Sequence, residues 1–189
     1  FRNEGMDRNH NPEFTMLEFY SAYDDIYSMM EFTESLIQSV SKSIDFNHKD
    51  IHFSKKFNQI SFFEGLDKFS SMSISQMRNQ ELLNLLKSNK IKVNKNSGRG
   101  KLLDKLFSYY VEPNLIAPTF VTNYPIELSP LAKEFRDNKY PGLVERFELF
   151  IDGMEIANAF SELNDPIEQR LRLTEQSKLK DLGDEEAQV

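Results

Sequence analysis

The chain has 189 residues, 39% of them hydrophobic and 28% charged, with no Cys, no Trp and a formal net charge of −7. That is enough chain for one core burying roughly 70% of the unfolded surface, and the lack of Cys excludes a disulfide framework, an Fe–S cluster, a thiolate zinc site and a Cys nucleophile. No stretch approaches the roughly 20 apolar residues that span a bilayer, and the first residues lack the basic-then-apolar design of a secretory signal, so a soluble protein of a reducing cytoplasm is expected.

Residues 1–40 carry 2 basic and 8 acidic side chains, residues 41–110 carry 13 and 6, and residues 111–189 carry 8 and 16, for nets of −6, +7 and −8. A basic middle between acidic flanks suits two jobs in one chain. The chain starts at Phe1, inside what reads as a strand, which points to a piece of a longer protein.

Taken in order, residues 1–4 and 13–23 read as two strands joined by a loop rich in Gly, Asn, Asp and Pro, with Phe14, Met16, Glu18 and Tyr20 alternating onto one face. From Asp24 to about Ser43, Ile26, Met29, Met30, Leu36, Ile37, Val40 and Ile44 recur at helical spacing, a core-facing stripe. Ser61 with Glu64 forms a capping-box pattern ahead of Leu66 and Phe69, and residues 81–86 are dense in Leu. Lys90, Lys92, Lys95, Arg99, Lys101 and Lys105 stud a polar loop leading into a helix at about 101–110. Residues 118–123 read as a strand, and residues 146–151 and 154–162 flank Asp152-Gly153, a hairpin signal. Asp165-Pro166 then opens a polar helix to about Lys180.

On the second hairpin strand, alternation sets Ile156, Asn158, Phe160 and Glu162 in a row. A Glu among Ile, Ala and Phe needs either water or a cation, because a desolvated charge without a partner costs several kcal/mol. Phe14, Glu18 and Tyr20 repeat the combination of aromatic, carboxylate and hydroxyl, so the two strands together fit a pocket for an amine. Glu148 and Glu155 bracket the hairpin and suit a hard divalent ion, although two solvated glutamates near a turn are the plainer reading. Arg2, at a strand end, can grip a phosphate or carboxylate, with Arg8, His10 and Asn11 as further donors. His48 and His52 show no metal-ligand pattern.

The runs Phe1-Arg2-Asn3-Glu4-Gly5 and His10-Asn11-Pro12-Glu13-Phe14-Thr15-Met16-Leu17-Glu18-Phe19-Tyr20 resemble motif 2 of the class II lysyl-tRNA synthetases. Gly98-Arg99-Gly100-Lys101-Leu102, Pro118-Thr119-Phe120-Val121-Thr122, Ser129-Pro130-Leu131-Ala132-Lys133, Arg146-Phe147-Glu148-Leu149-Phe150 and the run from Ala157 to Pro166 fit the bacterial type in the same order. The resemblance covers essentially the whole chain. It implies an α+β catalytic domain, an antiparallel sheet flanked by helices, spanning 1–59 and 118–189 and interrupted by a helical insertion at 60–117.

By the same resemblance, Arg2 would hold the α-phosphate of ATP and the lysine carboxylate. Glu4, His10 and Asn11 would reach the adenine and phosphates, and Phe14 would stack on the adenine. Glu18, Tyr20 and Glu162 would surround the lysine ammonium, Asn158 and Phe160 would complete that pocket, and Glu148 and Glu155 would hold Mg2+ on the ATP phosphates. Glu155 and Asn158 are three apart, so strict alternation opposes them and a bulge must intervene if both face the site.

The implied substrates are ATP, L-lysine and tRNA(Lys), with a homodimer for the whole enzyme. Motif 1 would lie upstream of Phe1 and motif 3 beyond Val189, so this slice alone is expected to show no pyrophosphate exchange. A paralogue that lysylates a translation factor and a non-catalytic lysine-binding module are the alternatives. Aspartyl and asparaginyl relatives would need cations where Glu18 and Glu162 stand. The basic segment 87–105 suits either the tRNA acceptor arm or a solvated surface.

Overall fold

The structure, a computed structural model, describes residues 11–46, 48, 51–94, 97–136 and 140–181. The expected strand at 1–4 lies outside them. Residues 13–23 are exposed and form no strand, ending in a turn at 22–23. A strand exists through its ladder, and among the described residues none pairs with this segment.

Helix α1 (Ile26–Ser43) starts where Asp25 accepts the backbone N–H groups of Tyr27 (3.0 Å) and Ser28 (2.9 Å). The Ser28 N–H, first of all, holds the Asp25 carboxyl below the usual range. Ile26 and Met30 are buried and Met29 and Ile37 pack beside them, whereas Val40 and Ile44 of the expected stripe are exposed. Strand β1 (Asn58–Ser61) runs into α2 (Phe62–Ser70), whose Ser61–Glu64 capping box is formed as the pattern predicts. Helices α3 (Asn79–Ser88) and α4 (Arg99–Tyr110) follow, and Gly100 lets α4 approach the backbone closely. A Cβ there would stand 2.8 Å from the Glu127 carbonyl. Strands β2 (Thr119–Pro125), β3 (Leu143–Ile151) and β4 (Met154–Phe160) and helix α5 (Pro166–Asp181) complete the chain, with Asp165 accepting from the N–H groups of Ile167 and Glu168.

The sheet order is β1-β2-β3-β4. Two pairings are antiparallel, as expected, but β1 lies parallel to β2. Parallel neighbours need a long crossover, which α2, α3 and α4 supply. These helices pack on one face of the sheet through Phe62, Leu66, Leu82, Leu102, Leu106 and Phe107 against Val121, Val144 and Phe150. The other face meets α1 and Phe53 and Phe57 through Phe120, Phe147, Leu149 and Ile151. Strand β3, covered on both sides, is therefore an almost unbroken buried run.

The hairpin turn Asp152-Gly153 has positive φ at both positions, 54° and 75°, the geometry that matches strand twist. It is tied down by Asp152 N–H to the Ile116 carbonyl (2.9 Å), Gly153 N–H to the Leu115 carbonyl (3.0 Å), and His48 Nε2 to Asp152 Oδ2 (3.0 Å). Gly153→Ala should cost about 1 to 2 kcal/mol, because Ala is strained at this φ and its Cβ would meet the Glu112 carbonyl at 3.2 Å. The midpoint of urea unfolding reads this, and an unmoved midpoint would refute it. Among the described residues no helix is long and apolar enough to cross a membrane.

Candidate functional site

Two bulges decide which side chains face the site. On β3, Val144, Arg146, Glu148 and Phe150 share the face of the helical core, and Phe147, Leu149 and Ile151 share the other. Glu148 pairs with Asn158 and Arg146 with Phe160, so all four lie on the first face. The register then slips: Ala157 pairs with Leu149 but Glu155 with Phe150, leaving Ile156 as the extra residue. That is the bulge required by the three-residue spacing, and it turns Glu155 onto the face of Glu148 and Asn158. Ile156 therefore does not belong to the alternating row expected for it.

The second irregularity lies between β2 and β3. Thr122 pairs with Phe147 but Tyr124 with Val144, so Asn123 stands opposite two residues of β3 and takes a left-handed φ of 58°. Asn is among the few residues that tolerate this conformation. The slip carries Tyr124 to the face of Glu148, where its hydroxyl donates to Glu148 Oε2 at 2.6 Å. Tyr124 is 3% exposed and Glu148 8%. Burial, more than the adjacent Glu148 charge, pushes the Tyr124 phenol well above its ordinary value, so it remains a donor.

Arg146 closes the arrangement. Its Nη2 donates to Glu148 Oε1, its Nε to Asn158 Oδ1 (3.2 Å), and its Nη1 to the Leu128 carbonyl (2.7 Å) and Ser129 Oγ (2.8 Å). The guanidinium carbon lies 4.7 Å from the centre of the Tyr124 ring. Glu112, which accepts from Ser108 Oγ at 2.7 Å, feels Asp104 and Glu148, and burial first of all raises its carboxyl pKa. None of Tyr124, Arg146 or Glu112 stood out in the sequence. The available signal was Arg146-x-Glu148, two opposite charges on one face of an otherwise apolar strand.

Of the residues expected around an amine, Tyr20 donates to Glu18 Oε1 at 2.7 Å. That bond and the Glu18 charge push the Tyr20 phenol up, with slight burial and the charge of Glu162 adding to it. Glu162 is held in turn where 161–163 runs beside 131–133, through Lys133 N–H to the Ser161 carbonyl (2.8 Å) and Leu163 N–H to the Leu131 carbonyl (2.9 Å). Phe160 is half-buried and packs on the helical core. Asn11 and Phe14 are exposed on the segment before α1, and Arg2, Glu4 and His10 lie outside the described residues.

Glu148, Glu155 and Asn158 present hard oxygen donors of the kind Mg2+ takes. Each oxygen of Glu148 keeps a lone pair beyond the one used by Tyr124 or Arg146. Among the described residues no group of three or more His, Asp or Glu gathers around one point. Two carboxylates plus substrate oxygens therefore fit the donor set better than an all-protein cage. Arg99 of the basic segment is engaged with the Met77 carbonyl (2.7 Å) and Asn79 (3.3 Å), Lys92 is exposed, and Lys95 lies outside the described residues.

A family profile for class II tRNA synthetases (D, K and N) matches residues 1–188. The chain is 46% identical over 193 residues to a lysine-tRNA ligase of Christiangramia forsetii, covering 99% of this chain and 34% of that protein. It is 45% identical over 193 residues to one of Porphyromonas gingivalis, with 99% and 33% covered. A lysine-tRNA ligase of Helicobacter hepaticus is 48% identical over 194 residues, with 100% and 37% covered. The chain thus spans about a third of the length of these curated relatives.

Proposed function

We propose, since this chain belongs to the class II tRNA synthetases (D, K and N), that it forms part of the catalytic domain of a lysine-tRNA ligase. The observation that carries the reading is the 46–48% identity to lysine-tRNA ligases over essentially the whole chain. The Tyr20 hydroxyl on Glu18, with the charge of Glu162 acting on Tyr20, suits an ammonium group. Asn158 and Phe160, on the sheet face, complete a pocket for the aliphatic stem and amine of lysine. In this reading residues 60–117 are an insertion between two stretches of one domain, and the whole enzyme is a homodimer.

The reaction joins the lysine carboxylate to the α-phosphorus of ATP, breaks the bond to the β,γ-phosphates, releases pyrophosphate and later passes the lysyl group to tRNA(Lys). No side chain acts as nucleophile, so positioning and charge stabilisation supply the rate. Arg2 neutralises the carboxylate and α-phosphate as they approach, Glu4, His10 and Asn11 orient the nucleotide, and Phe14 stacks on its base. Glu148 and Glu155 would hold Mg2+, which supplies charge neutralisation on the phosphates.

Glu162→Gln in the full-length enzyme removes one charge-assisted hydrogen bond to the ammonium. It should raise the KM for lysine about 10- to 100-fold, with the KM for ATP little changed. Lysine-dependent ATP–pyrophosphate exchange measures both. Exchange that ignores lysine in the wild type would overturn the reading, and charging assays with tRNA(Lys) and with a translation factor decide the acceptor.

A further inference from the structure

We propose that Arg146 and Tyr124 are positioning residues that fix Glu148 and Asn158 in the geometry the reaction needs, a role resting on the lysine-tRNA ligase reading above. Glu148 is gripped on both oxygens, by the Tyr124 hydroxyl on Oε2 and by Arg146 Nη2 on Oε1. A carboxylate held at both ends cannot rotate about its last torsion. Each oxygen then offers its remaining lone pair in a set direction.

The same guanidinium holds Asn158 through Oδ1, which leaves the amide N–H groups pointing away from Arg146. One side chain therefore couples Glu148 to the lysine pocket. Arg146 is itself located by the Leu128 carbonyl, Ser129 Oγ and the face of the Tyr124 ring. A planar fork is required: a lysine at 146 has one nitrogen and cannot serve Glu148, Asn158 and Leu128 together. The register slip at Asn123 is what puts Tyr124 on the site face.

The test uses the full-length enzyme and four variants, Tyr124→Phe, Arg146→Lys, Glu148→Gln, and Glu148→Gln combined with Tyr124→Phe. Mn2+ is titrated in the presence of a non-hydrolysable ATP analogue and followed by electron paramagnetic resonance, so binding is read without turnover. Exchange kinetics and melting temperature are measured alongside. Tyr124→Phe keeps the ring under Arg146 and should weaken Mn2+ about tenfold with little effect on the KM for lysine. Arg146→Lys should weaken Mn2+ and also raise the KM for lysine about tenfold, through Asn158. Relative to Glu148→Gln alone, adding Tyr124→Phe should have little further effect on Mn2+, because the metal-binding carboxylate that Tyr124 orients is gone.

Wild-type Mn2+ affinity in both single variants, or Mn2+ losses that only track the melting temperature, would overturn the positioning role while leaving the ligase reading intact. A wild type with no lysine-dependent exchange would overturn both.

Discussion

Glu148→Ala should destabilise the protein by about 3 to 5 kcal/mol, a large effect for a residue whose proposed task is to bind a metal. Alanine leaves the Arg146 guanidinium without its carboxylate in a site where both side chains are mostly out of water. It also leaves the buried Tyr124 hydroxyl without its acceptor. Uncompensated burial of a charge and of a donor costs far more than the pair itself contributes.

Glu148→Gln separates the two roles. It keeps the volume and an acceptor oxygen, while Leu128, Ser129 and Asn158 still serve the guanidinium, so the stability cost should fall to about 1 to 2 kcal/mol. Lysine-dependent exchange should nonetheless drop by two orders of magnitude or more, the scale for losing one preorganised group around developing charge. Replacing the pair outright, Arg146→Met with Glu148→Leu, in a Tyr124→Phe background that removes the hydroxyl Glu148 serves, should restore stability to near that of the wild type and leave no exchange. Urea unfolding and the exchange assay decide these points. A triple variant as unstable as Glu148→Ala would mean that the pair is kept for the fold.

Local signals in the sequence carried far. The Asp165 cap, the Ser61–Glu64 capping box and the Asp152-Gly153 turn each rest on a few neighbouring residues, and all are formed. Strand β1 was not legible, because Asn58–Ser61 is short and its parallel pairing with β2 is made across almost sixty residues that include three helices. Alternation over 13–23 read as a strand, yet alternation records two faces and says nothing about a ladder. The site divides along the same line. Glu155 with Asn158 was legible because the spacing itself demanded a bulge. Tyr124 was not: counted by twos from Phe120 and Thr122 it belongs to the opposite face, and only the slip at Asn123 reverses it. Arg146 fell inside a run matched to the family without any partner visible in the sequence.

Phe62→Ala should be the other most damaging change, at about 3 to 5 kcal/mol, and its reach extends to the site. Phe62 is 1% exposed at the start of α2, stacked on Phe107 of α4 with ring centres 4.6 Å apart and planes 7° apart. It also meets Phe63 edge-on at 5.5 Å and Tyr124 at 5.1 Å. Alanine would leave a cavity where two helices and the sheet meet, and backbone relaxation there is limited because Gly65 and Gly100 already bring their helices into close contact with Val111 and Glu127. The Tyr124 ring would lose its packing against Phe62, so its hydroxyl would hold Glu148 less firmly. Two effects should therefore appear together, a melting temperature lower by roughly 10 °C or more and an Mn2+ affinity that falls even at temperatures where the protein stays folded. Phe62→Leu fills most of the volume and should cost about 1 to 1.5 kcal/mol, with Mn2+ binding close to wild type. Thermal unfolding and the Mn2+ titration, run on both variants, test the link. A Phe62→Ala protein that melts early yet binds Mn2+ normally when folded would show that the helical core and the Glu148 site are mechanically separate.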